Sequence, residues 1–418
     1  MKYLLAFAIA VLTPYAALAV TIDLVPVGNP SNQSDQQGTG LFGRVTTSYQ
    51  IGKTEVTNAQ YLDFLNAKAA SDPYGLYNSA MGRFEGGIIQ QGSAGAYTYT
   101  LKSPVTGGAP GGTDYTYGDK PVVYVSWYDA IRFANWMNNG QGSGDTETGA
   151  YTLAGGTPIP SNAASITRNA NATWFLPTEN EWYKAAYYNP ATSSYYAYPT
   201  SSNAAPDNGV PTADTGNSAN YLIDTTTTTG DPSLPYTTAG GYALTHSPYG
   251  TFDQAGNVAE WNETLVSSSP VTRGARGGAW DTVATSLSAA NRGTLSSASE
   301  NDDTGFRLAR IATVAGLPGD YNGNGVVDMA DYVIWRDHLG TSFQLANEVA
   351  GTTPGTVTQE DYTAWRARFG NTSGAGTGAS LQGASVPEPG SVLLAATATC
   401  VVVSTLRRRS RRAAICGC

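Results

Sequence analysis

The sequence predicts an α+β protein followed by a small all-α module, and three observations carry that prediction. Capped helix starts and a β-branched run occupy residues 20–311, long Gly/Ser/Thr/Asn-rich connections separate them, and the composition changes abruptly at Leu317-Pro318-Gly319. A chain of 418 residues exceeds the ~250–300 at which a single core stops growing, so more than one domain is expected. Charged residues make up 13%, about half the usual ~25%, beside 48 Gly and 26 Tyr, which suits an exported, loop-rich surface. A formal charge of −9 lacks the basic footprint of a nucleic-acid binder. The hydrophobic content of 41% is more than a disordered chain carries.

In chain order, residues 1–19 form a signal peptide: Lys2, an apolar run, then Ala17-Leu18-Ala19, with cleavage expected after Ala19. In the body, residues 20–311, Thr57-Asn58-Ala59-Gln60 is a capping box opening a helix with Tyr61, Phe64 and Leu65 on one face. A second helix starts at Ser126, after the β-branched run Val122-Val123-Tyr124-Val125, and carries Trp127, Ile131, Ala134 and Asn138 at helical spacing. Thr178-Glu179-Asn180-Glu181 is a further capping box, before Trp182, Ala185 and Ala186. The connections 139–173 and 199–241 are so long that they must be functional or tied down. All three cysteines, Cys400, Cys416 and Cys418, fall at the far end, and His246 and His338 are the only histidines. Thiol nucleophiles, Cys-ligated zinc and multi-histidine metal sites are therefore excluded from the body.

Six ordered motifs carry a family resemblance: Thr54-Glu55-Val56-Thr57-Asn58-Ala59-Gln60-Tyr61, Pro121-Val122-Val123-Tyr124-Val125-Ser126-Trp127, Leu176-Pro177-Thr178-Glu179-Asn180-Glu181-Trp182, Gly256-Asn257-Val258-Ala259-Glu260-Trp261, Arg276-Gly277-Gly278-Ala279-Trp280 and Gly305-Phe306-Arg307. Together they resemble the formylglycine-generating enzyme (sulfatase-modifying factor) family, which implies a low-regularity α+β fold related to C-type lectins and held by metal ions. The family's oxidase carries two cysteines after the Arg-Gly-Gly motif, and the same steps from Arg276 reach Thr282 and Leu287. No thiolate pair is present to bind copper and capture a substrate cysteine, so formylglycine generation is not expected. The resemblance implies a calcium loop at Asp253-Gln254-Ala255-Gly256-Asn257-Val258-Ala259-Glu260, with Asp253 and Glu260 as carboxylate ligands and Gly256 and Val258 as carbonyl ligands. A second calcium site would fall on Asn220, the Tyr221 carbonyl and Asp231. Arg307 would pair with a ligand anion or in a buried ion pair.

After the body, Asp320-Tyr321-Asn322-Gly323-Asn324-Gly325-Val326-Val327-Asp328-Met329-Ala330-Asp331 places Asp320, Asn322, Asn324, the Val326 carbonyl, Asp328 and Asp331 as ligands of an EF-hand loop, with Gly325 at its sharp turn. The terminal Asp and the short helix that follows resemble a type I dockerin over residues 317–370. Ala330-Asp331-Tyr332-Val333-Ile334-Trp335-Arg336 recurs as Glu360-Asp361-Tyr362-Thr363-Ala364-Trp365-Arg366, but the second loop lacks acidic ligands, so one calcium ion is expected there, and Tyr332, Trp335, Tyr362 and Trp365 should pack the two helices together. Residues 371–385 read as a flexible linker. Over 386–412, Val386-Pro387-Glu388-Pro389-Gly390, an apolar stretch and five arginines resemble a PEP-CTERM sorting tail, implying removal by an exosortase-like membrane protease.

These features predict an exported, non-catalytic, calcium-stabilised surface or matrix protein whose Tyr- and Trp-rich loops meet a saccharide or peptide, with a cohesin-type receptor as a further partner. The alternative is an exported enzyme using the same cleft for another peptide modification.

Overall fold

The structure, a computed structural model, describes residues 19–372 apart from Phe84, Ser143, Asn171, Asp224, Gly230, Pro232, 312–316, Gly323, Asn324, Gln344, Ala346, 349–352 and Pro354. The signal segment up to residue 18, most of the linker and the sorting tail lie outside the described residues. The chain divides into two units, Met1–Ala312 and Thr313–Cys418.

Two four-stranded sheets frame the first unit. In one, β1 (Leu24–Val27) and β2 (Tyr49–Gly52) pair antiparallel, and a later strand bonds to β2 and to β3 (Trp174–Phe175). In the other, the antiparallel hairpin β4 (Ala259–Ser268) and β5 (Val271–Arg276) is flanked by β6 (Gly293–Ser296) and, in parallel, by the two-residue β7 (Thr304–Gly305). The strand completing the first sheet is β8 (Ala309–Ile311), so the chain crosses between sheets within four residues, Gly305 to Ala309, through Phe306, Arg307 and Leu308. All three of those residues are fully buried.

Helices α1 (Asn58–Lys68), α2 (Trp127–Asn138) and α3 (Glu179–Tyr187) begin at Thr57, Ser126 and Thr178, each in a capping box. Reciprocal side-chain and backbone bonds satisfy amides that the first helical turn would otherwise leave orphaned. Tyr61 and Phe64 of α1 interlock with Phe133 and Trp136 of α2 and with Phe306, ring centroids 5.3–6.5 Å apart. Eleven of the twelve residues of α2 are buried, so its polar side chains must find partners inside. They find them in the 139–173 connection: Arg132 pairs with Glu147 at 2.7 Å and donates to the carbonyls of Thr157 and Pro158, while Asn135 holds both the Tyr151 amide and the Thr146 carbonyl. The connection is thereby tied to the core.

The β-branched run 122–125 forms no strand: Tyr124 sits at φ 59, outside the extended region, and the amides of Val122 and Tyr124 donate singly to Val56 and Asn301. One expectation is corrected, since the tryptophans are not displayed on loops. Seven of eight are buried, and the eighth, Trp174, is half-covered beneath Arg310.

In the second unit, α4 (Met329–His338) and α5 (Gln359–Arg366) are capped by Asp328 and Thr358, again with capping boxes. A 30-residue offset relates their contacts. Trp335 donates its indole N–H to the Thr358 carbonyl and Trp365 donates its own to the Asp328 carbonyl; Gly340 bonds to the Val357 carbonyl and Gly370 to the Val327 carbonyl. Tyr332, Trp335, Tyr362 and Trp365 form one aromatic cluster, as the repeat predicts.

Candidate metal centres and pocket

Thr282 and Leu287 lie beside the tight turn at Gly277 and Gly278, both at positive φ. A Cβ built on Gly278 would come within 2.9 Å of both side chains, so both pack against that glycine. Leu287 is fully buried with Ala219, Tyr221 and Ala255, and its carbonyl accepts from the Tyr187 hydroxyl. The Thr282 hydroxyl closes the turn onto Ala279, accepting from its amide at 2.8 Å. A hydrocarbon and a spent hydroxyl thus fill the positions where the resemblance puts thiols, and neither can ligate copper or exchange disulfides.

The loop from Asp253 to Glu260 runs into β4, with Asp253 and Asn257 at φ 57 and 61. Its amides are anchored outside the loop, Gly256 to the Gly277 carbonyl and Asn257 to the Asn220 carbonyl. Only glycine fits at 256, where a Cβ would meet the Asn220 carbonyl oxygen at 2.0 Å. Glu260 is fully buried and bidentate to Arg307, at 2.5 Å from Nε and 2.6 Å from Nη2, and it also accepts from the Trp182 indole at 2.7 Å. Of the two roles the sequence leaves for Arg307, the buried ion pair is the one present. Glu260 is its counter-ion, and its charge also acts on Asp253. Asp253 accepts from the Gly240 amide, and burial pushes its carboxyl up to about 6.

Glu55, unassigned by the sequence beyond its place in the first motif, belongs to the same interior cluster. Its Oε1 accepts from Asn257 Nδ2 at 3.0 Å, while its buried Oε2 has no partner among the described residues. Burial first, and the Asp253 charge second, hold its carboxyl well above the usual range.

Asn220 is likewise fully buried. Its Nδ2 is spent on Pro235 and Asn257, and its Oδ1 is a buried acceptor without a partner. Such an orphaned amide oxygen suits a hard cation, so Asn220 fits the calcium the resemblance implies. The Tyr221 carbonyl follows directly. The Asp231 carboxylate accepts from the Ser233 amide and hydroxyl, which lowers its pKa.

In the second unit, Asp320 and Asp331, the latter in the first turn of α4, are fully buried. Asp320 Oδ2 accepts from the Gly325 amide at 2.7 Å, and Asp331 accepts from the amides of Asn322 and Asp328 at 2.9 and 2.8 Å. Asp328 caps α4 through the Ala330 amide, and Val326 bridges to Thr372. Asn324 lies outside the described residues. Burial raises the Asp331 carboxyl. Among the described residues no three carboxylates, thiols or imidazoles converge in either unit, so any ion would depend on amide, carbonyl and hydroxyl oxygens as well, a donor set that calcium accepts.

A pocket of about 430 Å³ opens beside β4 and β5, lined by the apolar Ile166 and Leu265 and by the polar Arg168, Thr178, Glu263 and Arg273. Arg168 stacks on Phe175 and bridges Glu181 and Glu263 at 2.8 and 2.7 Å. Arg273 lies flat on Trp127 and donates to the carbonyls of Glu263, Ala163 and Ile166. Burial raises the Glu263 carboxyl and lowers the Arg273 guanidinium. No spacing in the sequence marks this group, because its members come from segments nearly a hundred residues apart.

Residues 22–312 match the family model described as sulfatase-modifying factor enzyme 1-like domain. Among solved structures, the chain is similar to CarF, at 21% identity over 70% of this chain and 99% of that one with a TM-score of 0.47. It is similar to Treponema denticola variable protein 1 at 21% identity, with coverages of 71% and 98% and a TM-score of 0.40. The third is PvdO from Pseudomonas aeruginosa, at 16% identity, coverages of 69% and 92%, and a TM-score of 0.36. No curated protein matches the chain.

Proposed function

Since the chain belongs to the sulfatase-modifying factor enzyme 1-like family, we propose that it is a non-catalytic, calcium-stabilised member of it, exported to the cell surface or matrix, where its family domain binds a saccharide or peptide. The observation that carries this reading is the replacement at Thr282 and Leu287: one side chain closes a turn and the other is core. The ligand is assigned to the 430 Å³ pocket, a size typical of ligand sites and one that combines an apolar wall with convergent polar groups. Calcium on Asn220 and the Tyr221 carbonyl is supported by the orphaned Asn220 oxygen. The Gly256 and Val258 carbonyls and Asp253 complete the main domain's candidate ligands. A further ion belongs to the loop from Asp320 to Asp331, whose module would dock a cohesin-type partner. The sorting tail would be removed by an exosortase-like protease.

The test is incubation of the exported protein with a sulfatase-type cysteine peptide, with and without copper, followed by mass spectrometry. No mass change is expected, and a copper-dependent loss would overturn the reading. Glu263, a buried carboxyl held above its ordinary range in a pocket, is the observation that favours the second reading, an enzyme making a different peptide modification. Leu265→Trp, which fills the pocket, should abolish saccharide or peptide capture without lowering Tm.

A further inference from the structure

The residue that follows the expected signal cleavage is held unusually firmly. Val20 belongs to the main hydrophobic cluster at 8% exposure, while Ala19, one position earlier, is exposed. Both backbone polar groups of Val20 go to a single side chain 121 residues away: its N–H donates to Gln141 Oε1 at 2.6 Å, and its carbonyl accepts from Gln141 Nε2 at 2.7 Å. The next residue is held in the same manner. The Thr21 carbonyl accepts from Gln60 Nε2 at 2.9 Å, and the Oε1 of that glutamine accepts from the Thr57 amide in the capping box of α1. Chain ends are ordinarily loose unless something ties them down, and here two glutamines do so at consecutive residues.

Gln141 is positioned by the end of α2. Its amide donates to the Trp136 carbonyl at 2.9 Å, and its backbone sits at φ 62, a conformation that costs a non-glycine residue energy. The last turn of α2 carries no basic side chain, so the helix supplies no cation of its own to its negative end. Hydrolysis of the Ala19–Val20 bond by one water leaves a carboxylate on Ala19 and an ammonium on Val20. The donor facing Gln141 Oε1 then gains a positive charge, which shortens and strengthens the bond, and it gains it beside a helix C-terminus, where a cation is favoured. Departure of the exposed Ala19 opens the nitrogen to water, which takes the remaining protons.

We propose that Gln141 is the binding site for the chain's own processed N-terminus, its carboxamide receiving the Val20 ammonium and carbonyl while the Val20 side chain anchors the end in the core. The inference rests on cleavage after Ala19. A cut further upstream keeps an amide at Val20, and a cut further downstream removes the buried side chain, so the folded body distinguishes the correct end from its neighbours.

The experiment is labelling of the α-amine of the exported chain with an amine-acylating reagent, read on the N-terminal peptide by mass spectrometry, in wild type, Gln141→Asn and Gln141→Glu. Asn tolerates the same backbone conformation but is too short to reach Val20, whereas Glu keeps an acceptor for an ammonium. The exported chain should begin at Val20, and its α-amine should react more slowly than in Gln141→Asn by on the order of tenfold, the factor that one bond to a charged group supplies. Gln141→Glu should stay protected, and lysine labelling should be the same in all three. Equal α-amine reactivity in wild type and Gln141→Asn would overturn the proposal, as would a folded wild type no more protected than the same chain in urea. Protection lost in Gln141→Glu would overturn the ammonium assignment. An exported chain that begins at another residue would remove the cleavage reading, and the proposal with it.

Discussion

Arg307 and Glu260 are both completely enclosed, so removing either one strands a charge in the core. Arg307→Met should cost about 3–5 kcal/mol in urea unfolding, with much of it recovered when Glu260→Leu is added, because breaking a buried pair is far worse than replacing it whole. Asp129 gives a pH signature. It is buried at the start of α2, and burial, reinforced by Glu300, raises its carboxyl to about 7. Between about pH 4 and 7 the folded state keeps a proton that the unfolded chain has released, so stability falls as pH rises through that window and levels above it. Asp129→Asn, which retains an acceptor for the Ser126 amide, should lack this slope, so its Tm advantage over wild type should grow from pH 4.5 to 7.5. The identities of Asp253, Asn220 and Glu260 were legible as a loop pattern, yet the pattern says nothing about which way a carboxylate turns. Glu260 turns to Arg307, a partner 47 residues away, and Glu55 enters the same cluster from 202 residues away from Asn257.

Helices were the most legible elements because their start is a local event. All five α-helices among the described residues open with a capping box. Thr57 and Thr178 announced theirs through Gln60 and Glu181, whereas those at Ser126, Asp328 and Thr358 close with Asp at the third position. Thr358→Ala removes a cap, worth about 1 kcal/mol, and should lower the melting of the C-terminal module while leaving the main transition in place, as followed by calorimetry. Strands were less legible. Val122-Val123-Tyr124-Val125 has strand composition, but its amides are claimed by Val56 and Asn301, so tertiary hydrogen bonding overrides propensity. The two- and three-residue strands β3, β7 and β8 are too short for any periodicity to reveal.

For the whole chain, calcium is expected to act unevenly. Binding to the native state stabilises by mass action, on the order of 3–4 kcal/mol at a hundred- to a thousandfold excess over Kd. That is a large share for a unit whose hydrophobic cluster has six buried residues, and a small one for a domain with a core as extensive as the first unit's. Limited proteolysis with chelator should therefore cut first between Gly319 and Gly370, and equal resistance with and without chelator would contradict the metal assignments. The exported form should contain no titratable thiol, because all three cysteines follow the expected processing site. Family membership was legible from six motifs spread over nearly three hundred residues, whereas the pocket at Arg168 and Glu263 was not, since its lining is brought together from segments nearly a hundred residues apart. The reciprocal bonds of Trp335 and Trp365 have a further consequence. Each half of the C-terminal module holds the other's helix start, through Trp335 on the Thr358 carbonyl and Trp365 on the Asp328 carbonyl. Neither half can therefore shed its indole without loosening a cap in the other, so a change confined to one repeat is felt at the first turn of both helices.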